Sequence, residues 1–427
     1  MRKAHYLNYT IYRFSTMALS TGLQTILLPL AVLQFYPAEG KEFYLGVISS
    51  LTVFIGFPFF LLSAYCGDIL PWQSIRRRLF IMTGAAIVFI SLPLFTLVHS
   101  FLMLTFFSIF IFIGICSSDS AHAALIVDNF HGARRVIAGK WFSACTFLGM
   151  LLGPLLAGIL TNTTLLEYID RTMQTDFFVS HALYVAFCTM VSIVLICAIL
   201  NVINIREVHL KKKSKKNLSL LHALKSTDIK TQNFYWLLTL RCLVFMVTIS
   251  FPGFLLYFSK DMLLSVHPEF LVASAMFFST IFSFIGLKLA SAQWFYQGNE
   301  IKQIRASIIL IGASVILMAL SVYGLALFFL AMIIFGLAYG CLFSVSLEFS
   351  LKLIPNEQLK GFFMSFSTST TFIASILGMF FSGSLLYYFG KISNSYGYLS
   401  IGIFFISLLL ASLFVLKRLS IRVRAVL

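Results

Sequence analysis

The sequence predicts an all-α polytopic membrane protein, twelve transmembrane helices arranged as two pseudo-symmetric six-helix bundles. Three observations predict it. Apolar runs too long and too uncharged for a soluble core recur along the 427 residues. The longest polar segment, from Asn204 to Gln232, falls almost at the middle, with six such runs on either side. The two sides also read as repeats of one another at a nearly constant offset.

The composition excludes the other classes. Hydrophobic residues make up 59% and charged residues only 11%, where an ordinary globular domain carries about 25% charge. A membrane barrel would show alternating segments of about ten residues instead. A net charge of +16 invites a nucleic-acid partner, but the basic residues sit at the ends of apolar runs, where membrane topology accounts for them. No nucleic acid is therefore expected. The seven cysteines all fall within or beside apolar segments and lack metal-ligand spacing, so they read as packing residues, with no metal site. The basic N-terminus MRKAHYLNYTIYRF precedes a run too long for a signal-peptide core and without a small-x-small cleavage site. It is read as the start of helix 1.

In chain order the expected spans are helix 1 at 9–36, helix 2 at 43–69, helix 3 at 79–99 and helix 4 at 101–127. Helix 5 follows at 137–161, helix 6 at 177–203, helix 7 at 234–258 and helix 8 at 269–295. Helix 9 at 306–322, helix 10 at 325–352, helix 11 at 362–389 and helix 12 at 397–416 complete the set. The domains are then 1–203, a first six-helix bundle, 204–233, a basic linker, and 234–427, a second bundle with a short tail. Cationic loops resist translocation, so Lys211, Lys212, Lys213, Lys215 and Lys216 keep the linker cytoplasmic. With both termini inside, the outer loops hold only Lys41, Arg171, Lys260 and Lys391 among all Lys and Arg. The expected location is a bacterial inner membrane, with both termini in the cytoplasm.

The repeat is readable residue by residue. Arg13 and Arg241 open helices 1 and 7 at an offset of 228 (241 − 13), and Gly84 and Gly312 share it. The stretch 131–158 lies over 356–383 at an offset of 225 (383 − 158), which matches Arg135 with Lys360 and Gly153 with Gly378. A duplicated six-helix unit permits rocking about a central site.

Between helices 2 and 3 the chain reads Ala64-Tyr-Cys-Gly-Asp68, then Arg76-Arg77-Arg78 after seven further residues. Here it resembles the major facilitator superfamily, whose cytoplasmic loop 2–3 carries G-x-x-x-D and a basic cluster. The spacing is closest to the sucrose-symporter and melibiose-type branches, while Ala64 and Ile75 stand where glycines are usual. An acid at a helix end beside three arginines can make a charge cluster that breaks in one of two states. Topology alone explains the arginines but not Asp68. In the second half Tyr296 replaces the acid. Asp128, Arg135, Ala138 and Gly139 in loop 4–5, and Lys360 in the equivalent loop, match a second superfamily pattern. The resemblance implies a cytoplasmic gate made of Asp68, Arg76, Arg77, Arg78, Asp128, Arg135 and Lys360. Helix 5 carries Gly149, Gly153, Pro154, Ala157 and Gly158, which is similar to the superfamily's antiporter motif. It reads either as a proline kink controlling leakage or as plain close packing of helices. Exporters of this kind carry an arginine in helix 4 where this chain has Phe110.

Asp119 and His122 on helix 4 are the principal site candidates. They share a helical face, and an acid near mid-bilayer needs a partner or a watery cavity. The pair reads either as a proton carrier or, for Asp119, as a static ion pair with Arg13 or Arg241. By resemblance helices 1, 4, 7 and 10 line the pathway, which adds Arg13, Gln24, Arg241 and Glu348. Arg13 and Arg241 either snorkel near the inner mouth or clamp an anionic substrate.

Together these features predict a secondary active transporter that moves a small organic solute by alternating access, driven by protons. Import by symport and export of a drug-like or siderophore-like solute by antiport both stay open. A receptor or scaffold that keeps the fold without transport is the alternative from another class. No H-E-x-x-H, G-x-S-x-G or phosphate-binding loop is present, so neither an enzyme nor a nucleotide drive is expected. The expected partners are the lipid bilayer and a small-molecule substrate, with no cofactor and a monomeric chain.

Overall fold

The computed structural model describes residues 3–37, 39–69, 76–96, 98–130, 133–162, 167, 181–204, 229–291, 300–353 and 360–424. Twelve long helices occupy nearly all of them. The helix α1 comprises Lys3–Gly22, a π-helical turn Leu23–Leu27 and Leu28–Phe35. Next come α2 (Lys41–Ile69), α3 (Arg76–Thr96), α4 (Phe101–Asn129), α5 (Ala133–Leu160) and α6 (Ala182–Asn204). After the linker, α7 runs Ile229–Gly253 and resumes as Leu255–Asp261, followed by α8 (Pro268–Ser291) and α9 (Glu300–Leu320). The last three are α10 (Leu325–Lys352), α11 (Lys360–Gly390) and α12 (Asn394–Arg424). Eleven of these stretches are long and apolar enough to cross a membrane, and α3, with Arg76, Arg77 and Arg78 in its first turn, is the remaining long helix. Helices are what the bilayer demands, because every backbone N–H and C=O must be satisfied within the segment.

The observed bounds differ from the expected ones where charge was read as a helix end. Helix α12 continues eight residues past 416, and α9 starts six residues before 306. Each extension carries on a buried stripe of its helix: Leu419 follows Leu416 in the first, and Ile304 precedes Ser307 and Ile308 in the second. The Arg418 guanidinium lies over the Phe414 ring at 4.7 Å and the Trp236 ring at 5.7 Å. A basic cluster thus does not end the helix.

The chain divides into two compact units. One is Met1–Lys213 with Phe254–Lys260 and Leu264–Phe277, and the other is Ser214–Gly253, Asp261–Leu263 and Phe278–Leu427. In the first, α1 packs on α5 and α6, and α4 on α2 and α3, with α3 also against α6. In the second, α7 packs on α11 and α12, and α9 on α10 and α12. Helix α8 packs on α10 so closely that a methyl group at Gly336 or Gly340 would strike the Ser279 or Ser283 carbonyl. Each of these pairings in one half therefore has its counterpart six helices later.

The repeat register holds at individual residues. A methyl group on Gly153 of α5 would strike the Ala18 carbonyl of α1, and one on Gly378 of α11 would meet the Met246 carbonyl of α7. Ala18 and Met246 are 228 apart, and Gly153 and Gly378 are 225 apart. The π-helical turn Leu23–Leu27 projects onto 251–255 in α7, where the helix is interrupted at Phe254 after Pro252 and Gly253. Pro252 has no N–H to give the preceding turn, and π-turns of this kind often occur at functional positions.

The first unit also contains the end of α7 and the first half of α8. The Tyr257 hydroxyl donates to the Pro29 carbonyl at 3.0 Å, and the Lys41 ammonium lies 5.4 Å from the Tyr257 ring centre and 3.8 Å from Glu42. Lys41, expected on an exposed outer turn, is only 6% exposed. Gly40, at φ 79°, makes the tight turn that brings it there.

Candidate functional site

Helix periodicity places Arg13 and Thr16 of α1 one turn apart, facing Asp119 of α4. The Asp119 carboxylate accepts from Arg13 Nη1 through one oxygen, Oδ2, and from the Thr16 hydroxyl through the other, Oδ1, at 2.8 Å. Arg13 Nε donates to the Thr146 hydroxyl of α5 at 3.2 Å, and its guanidinium lies 5.0 Å from the Phe142 ring centre. Three helices thus meet at one ion pair whose side chains are 18% and 11% exposed. A charge is costly at this depth, and the pair, with two further polar contacts and an aromatic face, meets most of that demand.

His122 has a different partner. Its Nε2 lies 2.7 Å from the Tyr9 carbonyl, while Nδ1 is buried without a partner. The ring stacks near Phe142, with centroids 5.7 Å apart, and meets Tyr12 edge-on at 5.5 Å. Asn201 of α6 also donates to the main chain there, to the Asn8 carbonyl at 3.1 Å. Asp119 and His122 share a helical face, as expected, yet each holds a separate part of α1. Of the two sequence-level alternatives for Asp119, the geometry is that of an ion pair with Arg13.

Arg241 stands at the pseudo-symmetric place in α7 and has no carboxylate partner among the described residues. Its Nη1 donates to the Ser346 hydroxyl and, at 3.4 Å, to the Ser350 hydroxyl, both on α10. Its guanidinium lies 5.0 Å from the Phe245 ring centre. Ser346 stands 227 positions after Asp119 (346 − 119), one short of the offset that relates Arg13 to Arg241, so a hydroxyl stands close to where the repeat would place the acid. Each arginine is bonded to neighbouring helices, Arg13 to α4 and α5 and Arg241 to α10. Glu348 is half-buried on α10, two residues from both Ser346 and Ser350 and so off their shared face. Gln24 lies inside the π-helical turn of α1, half-buried.

Helix α5 runs unbroken across Pro154. Gly149 and Gly153 press on the Phe14 and Ala18 carbonyls of α1, and Gly158 presses on Ala273 of α8. That geometry matches the close-packing reading of this motif, since a side chain at any of the three would push the helices apart. In the expected gate, Arg77 is buried at the start of α3. The side chains of Asp68, Arg76, Asp128, Arg135 and Lys360 lie outside the described residues, as do linker residues 205–228 and Tyr296. Among the described residues no cluster of His, Cys, Asp and Glu could hold a metal ion.

The contacts that complete the ion pair, Thr16, Phe142 and Thr146, were not singled out from sequence, nor were Ser346 and Ser350. The repeat offsets of 228 and 225 lead from Asp119 to Leu347 and Ser344, so neither singles out Ser346. Threonines and serines on apolar helices are otherwise too common to stand out.

The chain matches the family described as Major Facilitator Superfamily over residues 7–359. No curated protein matches it by sequence. Among solved structures it is similar to a bacterial homologue of the human lysosomal transporter Spinster, in an inward-facing and occupied conformation. That likeness has 13% identity, 99% of this chain and 96% of the other covered, and a TM-score of 0.65. A POT family transporter in complex with 5-aminolevulinic acid gives 14% identity, 98% and 97% coverage and a TM-score of 0.70. A bacterial homologue of the iron transporter ferroportin, inward-facing, gives 16%, 98% and 99%, and 0.65. At these identities the likeness is one of fold.

Proposed function

The chain belongs to the Major Facilitator Superfamily, and from that premise we propose that it is a proton-coupled secondary transporter of a small organic solute, working by alternating access. The observation that carries this reading is the Arg13–Asp119 pair, which ties α1 to α4 inside membrane-spanning helices. A permanent charge pair at this depth is rarely retained without a task. Protonation of Asp119 would leave Oδ2 a neutral acceptor, weaken the charge-assisted bond to Arg13 and loosen α1 against α4. Taking up a proton on one side and releasing it on the other would then bias the two access states.

His122, held by the Tyr9 carbonyl, sets the placing of α1 on α4, and Asp119 carries the proton. No cofactor takes part, and the proton gradient is the driving force. The chain works as a monomer in a bacterial inner membrane, with linker and termini in the cytoplasm.

The test is flux in proteoliposomes across an imposed pH gradient, with a panel of labelled organic solutes. Transport should depend steeply on pH, and Asp119→Asn should keep counterflow exchange while losing that dependence. An unchanged pH profile in Asp119→Asn would remove the proton role from this residue. Binding of a solute without any flux would leave a receptor or scaffold. Uptake or extrusion along the gradient distinguishes symport from antiport.

A further inference from the structure

We propose that Arg241, with Ser346, Ser350 and Ser367, forms an anion subsite that receives the carboxylate of a substrate carrying an apolar or aromatic body. The inference rests on the transport reading and names the substrate class for it. Its basis is an unbalanced charge. Arg13 has Asp119, whereas Arg241, ten residues into the span Thr231–Gly253, meets only hydroxyls among the described residues. Hydroxyls satisfy hydrogen bonds but carry no charge, and a lone cation within a membrane-spanning segment points to an anion that comes and goes.

The donors are already arranged. The described bonds use Nη1, while Nε is buried with no acceptor, so the guanidinium holds N–H groups in reserve. Ser350 donates to the Ser346 carbonyl at 2.7 Å, and Ser367 of α11 donates to the Ser350 hydroxyl at 3.4 Å. A planar carboxylate suits a guanidinium whose Nε has no acceptor among the described residues. One cation balances one negative charge, which favours a monocarboxylate over a phosphate dianion.

The surroundings specify the rest of the molecule. Phe245 lies beneath the guanidinium, and the half-buried Cys242, Ile249 and Tyr339 pack around the Phe245 cluster. Tyr339 continues into an aromatic row on α10, stacked on Phe335 at 6.1 Å and beside Phe343 at 6.2 Å. Such a wall accepts an aromatic or aliphatic body and offers little to a sugar.

The test uses purified full-length protein and equilibrium binding of benzoate, phenylacetate and hexanoate, each against its uncharged amide, with inorganic phosphate as the competing anion. At least one carboxylate should bind, and its amide should bind about tenfold or more weakly. Arg241→Gln should abolish the preference, and Ser346→Ala should weaken binding about three- to tenfold. If Arg241→Gln fails to fold, the Ser346→Ala, Ser350→Ala double variant decides, and unchanged carboxylate affinity in it overturns the proposal. So does equal binding of acid and amide, tighter binding of phosphate, or binding of no carboxylate at all. Arg241-dependent carboxylate binding without flux would leave the subsite standing and refute transport. Flux of a solute indifferent to Arg241 would do the reverse.

Discussion

Removing either member of the Arg13–Asp119 pair should cost nearly as much as removing both. Breaking a buried ion pair from one side costs about 3–5 kcal/mol, mostly because the surviving charge is stranded. Side-chain exposures of 18% and 11% place this pair near the lower end, at about 3 kcal/mol. In Asp119→Asn, Arg13 keeps Thr146 and the Phe142 face but loses its counter-charge. In Arg13→Gln, the carboxylate keeps only the Thr16 hydroxyl among its described partners. The double variant leaves two neutral amides able to bond to one another, so it should cost about 3–4 kcal/mol rather than 6, a coupling of about 2–3 kcal/mol. Unfolding titrations in mixed micelles, followed by tryptophan fluorescence, measure all four corners of the cycle. Single-variant costs that add to the double within about 0.5 kcal/mol would refute the argument that the two charges depend on each other.

Three further outcomes are expected. Gly153→Ala and Gly378→Ala should each destabilise by about 1–3 kcal/mol, since a methyl group meets a backbone carbonyl in both halves. Gly139→Ala, with nothing within 4 Å, should be neutral or gain up to about 1 kcal/mol, and the same micelle titrations compare the three. Tyr257→Phe should lose about 0.5–1.5 kcal/mol by deleting the bond to the Pro29 carbonyl. A loss beyond that range in the same assay would show that the ring has moved as well. Lys212→Cys should react with an impermeant maleimide only from the cytoplasmic side of oriented vesicles.

What the amino-acid order determined by itself was everything that depends on local hydropathy and on self-similarity. The number of long helices and the register that superposes Gly153 on Gly378 were both readable, because a bilayer requires each segment to satisfy its own backbone. Even α10 was readable to its end residues, bounded as it is by Gly324 and by Pro355 after a long apolar run. The tertiary structure decided which charges find partners. Asp119 had three sequence-compatible partners, His122, Arg13 and Arg241, and only the facing of α1 against α4 selects Arg13. The same dependence on neighbours buries Lys41 against the Tyr257 ring and leaves Arg241 on serines. A side chain's own span sets how far into the membrane it lies, whereas its electrostatic surroundings come from helices more than a hundred residues away, and no local pattern encodes them.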